Sequence, residues 1–352
     1  MSLKPCAIAT VLLATVGLTT AASADVQAVP PTPRVANTIA TNLAVPWGLA
    51  FLPDGSALVS ERNTARIKRI SGGTVTTIGT VPGVQPAGEG GLLGIAVAPT
   101  FNTDRFVYAY FTATNDNRVV RMTFNGTTLG TPQVLITGIA KNTIHNGGRL
   151  AFGPDGLLYV STGDANNTNN AQNPNSLNGK ILRVTPTGAA APGNPTPGSR
   201  VFTMGHRNVQ GLAFDTAGRL FASEFGQNTT DELNLIRAGG NYGWPICEGR
   251  CNDTRFVNPI TQWSVAQASP SGVAFTRNTV WLAGLRGQRL WAVPVLNGAL
   301  DGTPTAFLNG TFGRLRNVVT APDGSLWLVT NNTDGRGTPR QGDDRIVRLT
   351  FA

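Results

Sequence analysis

Histidine is the one side chain whose ordinary pKa lies near neutrality, and this chain contains two. His145 stands in Ile-His-Asn-Gly-Gly-Arg-Leu (144–150) and His206 in Gly-His-Arg-Asn-Val-Gln-Gly-Leu-Ala-Phe (205–214). Imidazole chemistry near pH 7 is therefore confined to two places. An apolar hairpin at 148–161 separates His145 from Gly163-Asp164, and the two ends of a hairpin open on the same rim. His145 and Asp164 are thus expected within hydrogen-bonding reach. An aspartate that accepts from one ring nitrogen fixes the tautomer and leaves the other as a base, although the same pair could simply hold a loop.

Arg207 and Asn208 precede the next hairpin in the same relative place and offer several donors suited to an anionic or carbonyl-rich ligand. Their neighbour His206, beside Gly205, reads better as a packed loop histidine than as a ligand. Arg314 and Arg316 stand just before the last hairpin and should face the same rim, with Arg286 completing the set. Three arginines at one mouth repel one another unless an anion or an acidic partner sits between them. The stretch 224–232 (Glu-Phe-Gly-Gln-Asn-Thr-Thr-Asp-Glu) mixes carboxylates, amides and backbone carbonyls of the kind that suit Ca²⁺, yet lacks EF-hand spacing and could equally be an acidic turn.

The elements that must position these residues recur along the chain. A short apolar strand, a Pro-Asp-Gly-like turn and a second apolar strand appear at 48–61 and 148–161, with altered turns at 94–101, 211–221 and 272–282, and again at 318–329. Proline presets φ, aspartate bonds the nearby backbone and glycine accepts positive φ, so each unit predicts a hairpin. Six units at roughly 45 to 60 residues match the period of propeller blades. The expected fold is all-β, a six-bladed β-propeller with four-stranded antiparallel blades over 34–352, preceded by a loose arm at 25–33. Segments 166–176 and 244–259 are expected as loops. Ring closure should lay 344–351 beside 34–43, since an unpaired edge is a liability.

Residues 1–24 carry Lys4, an apolar run and Ala22-Ser23-Ala24, the layout of a cleavable secretory signal. The expectation is a secreted, extracellular or periplasmic protein beginning at Asp25. No later stretch is long and apolar enough to span a bilayer. Cys247 and Cys251, an even pair in an oxidising compartment, predict a local disulfide. Cleavage would remove Lys4 alone among charged residues, leaving +8 of the formal +9, almost all of it arginine. The basic residues are scattered, which argues against nucleic acid, while an arginine-lined interior would attract an anion. The segment 88–94 (Gly-Glu-Gly-Gly-Leu-Leu-Gly) fails the spacing of a dinucleotide loop.

With these motifs in place the chain resembles the soluble quinoprotein glucose and aldose sugar dehydrogenases, the glucose/sorbosone dehydrogenase family. The resemblance runs from about Pro46 to the C-terminus. It rests on 46–51, 88–94, His145 through Asp164, 177–183 (Leu-Asn-Gly-Lys-Ile-Leu-Arg), 205–214, Asp231-Glu232, 240–245 and the Arg314, Arg316 pair. It implies six-bladed propellers using pyrroloquinoline quinone and Ca²⁺, a small-molecule sugar as substrate and a separate electron acceptor. By position, His145 would take the proton from the anomeric hydroxyl, Asp164 would orient it, and hydride would pass from sugar C1 to quinone C5 to give the lactone. Arg207 would polarise the C5 oxygen, Asn208 would hold the cofactor edge, and Arg286, Arg314 and Arg316 would pair with its carboxylates. The carbonyls of Gly226 and Gln227 would hold Ca²⁺, and Asp231, Glu232 and Tyr242 match positions near a second, structural Ca²⁺. Two departures stand out: Glu89 where the glucose enzymes have glutamine, and Arg286 where they have lysine. Glu89 beside an anionic cofactor needs protonation or an arginine partner. Two other readings remain at this point, a carbohydrate- or anion-binding propeller without redox activity and a Ca²⁺-dependent lactonase-like hydrolase.

Overall fold

The computed structural model describes residues 1–2 and 28–351, so the expected signal segment falls outside the described residues but for its first two. The chain forms six antiparallel sheets. The first blade runs Pro46–Phe51, Ala57–Glu61, Arg66–Ser71, Thr74–Thr80; the second Leu92–Val97, Phe106–Thr112, Asn117–Thr123, Gln133–Ile139. The third is Leu150–Phe152, Leu158–Ser161, Lys180–Val184, Val201–Met204, and the fourth Val209–Phe214, Leu220–Glu224, Thr230–Ile236, Thr261–Ser264. In the fifth, Pro270–Thr276, Thr279–Gly284 and Leu290–Leu296 are flanked by the short strands Ala299–Leu300 and Thr305–Phe307. The sixth is made of Leu315–Thr320, Leu326–Thr330 and Ile346–Phe351, with Pro33–Ala40 as its outer strand, in register from Pro33↔Phe351 to Ala40↔Ile346. The N-terminal strand thus latches the ring, and it begins at Pro33, the last residue of the expected arm.

Blades bury both faces, which is why their second strands read as near-continuous apolar runs. Ala57–Glu61 and Leu220–Glu224 are buried throughout. The core lies between blades, for example where Leu58 and Ile67 of the first pack with Leu92, Val107 and Phe111 of the second. Close approach at the axis explains one glycine. A Cβ on Gly48 would stand 2.8 Å from the Ile95 nitrogen and 2.9 Å from the Leu93 oxygen of the next blade. Serine staples reinforce the same contact: Ser60 Oγ accepts from the Gly48 N–H (2.8 Å) and donates to the Leu93 carbonyl (2.6 Å). Ser161 repeats this between the third and fourth blades. The six inner strands are held side by side, and the loops on one rim converge over the axis.

Candidate active site

Those loops enclose a cavity of about 490 Å³. His145 lies in the segment that leads into the third blade, in the left-handed region at φ +58°. Its N–H donates to Glu89 Oε2 (3.1 Å) and its carbonyl accepts from Ala165 N–H (3.2 Å). The ring shares a hydrogen bond of 2.8 Å between Nδ1 and Asp164 Oδ1. Asp164 is fully buried and accepts twice more, from Asn166 N–H at Oδ1 (2.8 Å) and Trp244 Nε1–H at Oδ2 (2.9 Å). In the neutral ring with Nδ1 as the donor to Asp164, Nε2 carries the lone pair, and the ring lines the cavity. The hairpin argument thus brings His145 and Asp164 together as expected.

Six arginines line the same cavity, Arg62, Arg207, Arg286, Arg314, Arg316 and Arg336, against the carboxylates of Glu89 and Asp334. Asp334 is the acidic partner that the clustered arginines require: its Oδ2 accepts from Arg314 Nη2 (3.1 Å) and lies 3.9 Å from Arg316 Nη2. Burial pushes the Arg316 guanidinium down to about 9, and its Nε meets no acceptor among the described residues. Arg207 is lowered in the same direction by burial, opposed by Asp164 and Glu224. Its backbone N–H is held by Glu224, its Nη1 reaches the Phe225 carbonyl (3.2 Å), and its Nε is likewise unpartnered. Arg286 is exposed and makes no hydrogen bond among the described residues. Asn208 lines the cavity while its Oδ1 accepts from Gly147 N–H (3.0 Å).

Glu89 does have an arginine partner. Its Oε1 pairs with Arg336 Nη1 at 3.0 Å, so the carboxylate that stood out in the sequence is neutralised across the mouth. His206 is the packed histidine: fully buried, bonded to Thr203 Oγ1 and Glu224 Oε2 (2.8 Å each) and stacked on Tyr242.

The oxygen set proposed for metal divides in two. Gly226 lines the cavity, Gln227 is not among its lining residues, and neither carbonyl accepts a hydrogen bond among the described residues. Asp231, Glu232 and Tyr242 are instead engaged within the protein. Asp231 accepts from Gly226 N–H (3.0 Å) and Ser269 N–H (2.6 Å), and Glu232 from Gly249 N–H (2.6 Å) and Asn234 Nδ2 (2.9 Å). Tyr242 donates to the Leu235 carbonyl and accepts from Arg237 N–H. Adjacent strand residues point to opposite faces, so the two carboxylates do not converge. Burial raises Asp231 to about 6 and Glu232 to about 8, and raises the Tyr242 phenol as well. Among the described residues no three His, Cys, Asp or Glu side chains gather as a metal site.

Sequence reasoning missed Trp47, Arg62, Gln210, Asp334 and Arg336. Trp47 is buried on the cavity floor, with the guanidinium of Arg149 4.1 Å over its ring and that of Arg316 at 5.9 Å. Arg62 and Asp334 follow the ends of the first and last hairpins just as Asp164 follows the third. The rim rule, applied to all six hairpins, would have found them. The expected disulfide joins Cys247 and Cys251 in the loop that carries Trp244. No helix among the described residues is long and apolar enough to cross a membrane.

Comparison with known proteins agrees with this fold. The structure of the PQQ-bound form of aldose sugar dehydrogenase from Streptomyces coelicolor superposes with a TM-score of 0.90 and 54% identity, over 92% of this chain and 100% of that one. Quinoprotein glucose dehydrogenase B of Acinetobacter calcoaceticus is 34% identical over 293 residues, 69% of this chain and 61% of that protein. Aldose sugar dehydrogenase YliI of Escherichia coli K12 is 26% identical over 332 residues, covering 82% and 88%. The Glucose / Sorbosone dehydrogenase family matches residues 43–343, and the chain belongs to that family.

Proposed function

We propose that this protein is an exported quinoprotein that oxidises an aldose at C1 to its lactone and passes the electrons to a separate acceptor. The observation that carries the reading is a histidine with its Nδ1 held by a buried aspartate, opening into a cavity walled by six arginines. Bound there, pyrroloquinoline quinone would supply the hydride acceptor. Its carboxylates suit Arg286, Arg314 and Arg316, where guanidinium forks match carboxylate geometry, and Arg286, exposed at the cavity, makes no hydrogen bond among the described residues. Asn208 lies at the cofactor edge, and the Gly226 and Gln227 carbonyls are the oxygens for a Ca²⁺ ion. Asp231, Glu232 and Tyr242 bind no metal in this proposal, because their oxygens already serve the protein.

His145 Nε2 takes the proton of the anomeric hydroxyl, and Asp164 stabilises the imidazolium that forms. Arg207, whose guanidinium sits 5.5 Å from the Trp244 ring centroid, places positive charge where negative charge develops. General-base catalysis of this kind contributes about 10²–10⁴-fold. His145→Gln should therefore retain quinone binding and lose turnover by about that factor. A variant that oxidises aldoses at the wild-type rate would overturn the assignment.

A further inference from the structure

Lys180, in the 177–183 motif, has no part in the chemistry above, yet it is a fully buried lysine. Its ammonium donates to three main-chain carbonyls, of Asn170 (2.7 Å), Ala171 (3.0 Å) and Asn178 (2.8 Å). No carboxylate pairs with it among the described residues. A buried charge without a counter-ion is expensive, and burial pushes this ammonium down to about 7. The carbonyl cage offsets that cost only while the loop stays folded round it.

The loop that it closes is the one carrying Asp164. Asn170 and Ala171 belong to the short helix Asn169–Gln172, and Asn178 ends the loop. From the same helix, Asn170 Nδ2 donates to the Asp164 carbonyl (2.9 Å), and Gln172 Nε2 donates to the Trp244 carbonyl (2.7 Å). Trp244 Nε1–H in turn holds Asp164 Oδ2. The Ala171 carbonyl also accepts from Gly205 N–H (2.9 Å), two residues before Arg207. Asn178 Nδ2 donates to the Gly163 carbonyl (2.9 Å), so both neighbours in Gly163-Asp164 are tied to this loop. One ammonium thus fastens the segments that present Asp164, Trp244 and Arg207.

We propose that Lys180 is a positioning residue: its ammonium, caged by the 170, 171 and 178 carbonyls, holds the loop so that Asp164 stays bonded to His145. The kinetic part rests on the dehydrogenase reading, whereas the structural part does not. Proton NMR of the imidazole N–H groups tests it directly, since a chain with two histidines gives two such signals, assigned with His145→Gln. In Lys180→Met, which fills the volume but donates nothing, the carboxylate-bonded Nδ1–H signal of His145 should be lost to exchange while that of His206 persists as an internal control of folding. In quinone-loaded protein, kcat should fall about 100-fold with quinone affinity within twofold of wild type. An unchanged His145 signal in Lys180→Met overturns the proposal even if no aldose is ever oxidised. Should Lys180→Met not fold, Lys180→Gln, which keeps donors to part of the carbonyl cage, is the second test: weakening of the His145 signal supports the clamp, and an unchanged signal refutes it.

Discussion

Replacing Asp164 by asparagine changes one oxygen to an NH₂ group and leaves volume untouched, yet the structure assigns it a large effect. Three donors converge on this carboxylate: His145 Nδ1–H and Asn166 N–H at one oxygen and Trp244 Nε1–H at the other. An amide satisfies at most one side. With its oxygen toward His145 and Asn166, it faces Trp244 with a second donor, so a buried N–H loses its acceptor at about 1–3 kcal/mol. Turned the other way, it leaves Asn166 unpaired and donates to Nδ1. The imidazole proton then moves to Nε2, and the base is in the wrong tautomer. The first orientation keeps two bonds and should prevail, but in either one the imidazolium has lost its negative partner. Turnover of aldose should fall about 10²–10⁴-fold with quinone affinity little changed, since the arginines are untouched. The thermal midpoint should drop by a few degrees, the scale on which about 1–3 kcal/mol appears in a chain of this size. Steady-state kinetics of quinone-loaded protein and a melting curve suffice. An Asp164→Asn enzyme with wild-type kcat would refute the reasoning, because it would show that His145 needs no carboxylate.

Two further outcomes follow from the charges around the cavity and beneath it. Glu89→Gln retains an acceptor for the His145 N–H but frees Arg336 and removes one negative charge from the cavity wall. For an assumed separation of about 10 Å and an effective dielectric of about 20, that carboxylate acts on each ligand charge with roughly 1–2 kcal/mol before Arg336 offsets part of it, so an anionic quinone should bind at least several-fold more tightly, with a steeper salt dependence by titration. Weaker binding would mean that the Glu89–Arg336 pair shapes the cavity for the cofactor rather than opposing it. Glu232, raised from 4.5 to about 8 by burial and Glu224, keeps its proton in the folded chain after the unfolded chain has lost it. Stability is therefore present below about pH 4.5 and is lost as pH rises toward 8, by at most about 1.4 kcal/mol per unit. Glu232→Gln should flatten this slope in denaturant titrations between pH 5 and 8, and an unaltered slope would contradict the assignment.

The hairpins were legible because proline, aspartate and glycine do fixed work in turns, so 53–55 and 154–156 mark their place without any tertiary information. The His145–Asp164 contact was legible for the same reason, as a hairpin brings its own ends together. Asp334 obeys the same rule, facing Arg314 across the two ends of the sixth hairpin, whereas Arg336 on Glu89 was not legible: that pair joins loops far apart in sequence, among arginines too numerous and scattered to single out. Asp231, Glu232 and Tyr242 stand as candidate metal positions through the family resemblance, and sequence cannot show that they are also hydrogen-bonded to backbone amides, a side-chain amide and a carbonyl. Lys180 announces nothing either, since its partners are main-chain carbonyls that every residue possesses.

The central claim, that an arginine-walled cavity with a poised histidine oxidises a sugar through a bound quinone, is tested most directly by titrating the Ca²⁺-loaded protein with pyrroloquinoline quinone and then adding aldoses while following absorbance. The account predicts stoichiometric binding and bleaching of the oxidised spectrum by at least one aldose, with binding but no bleaching in His145→Gln. Absence of quinone binding, or bleaching at the same rate in His145→Gln, would contradict it.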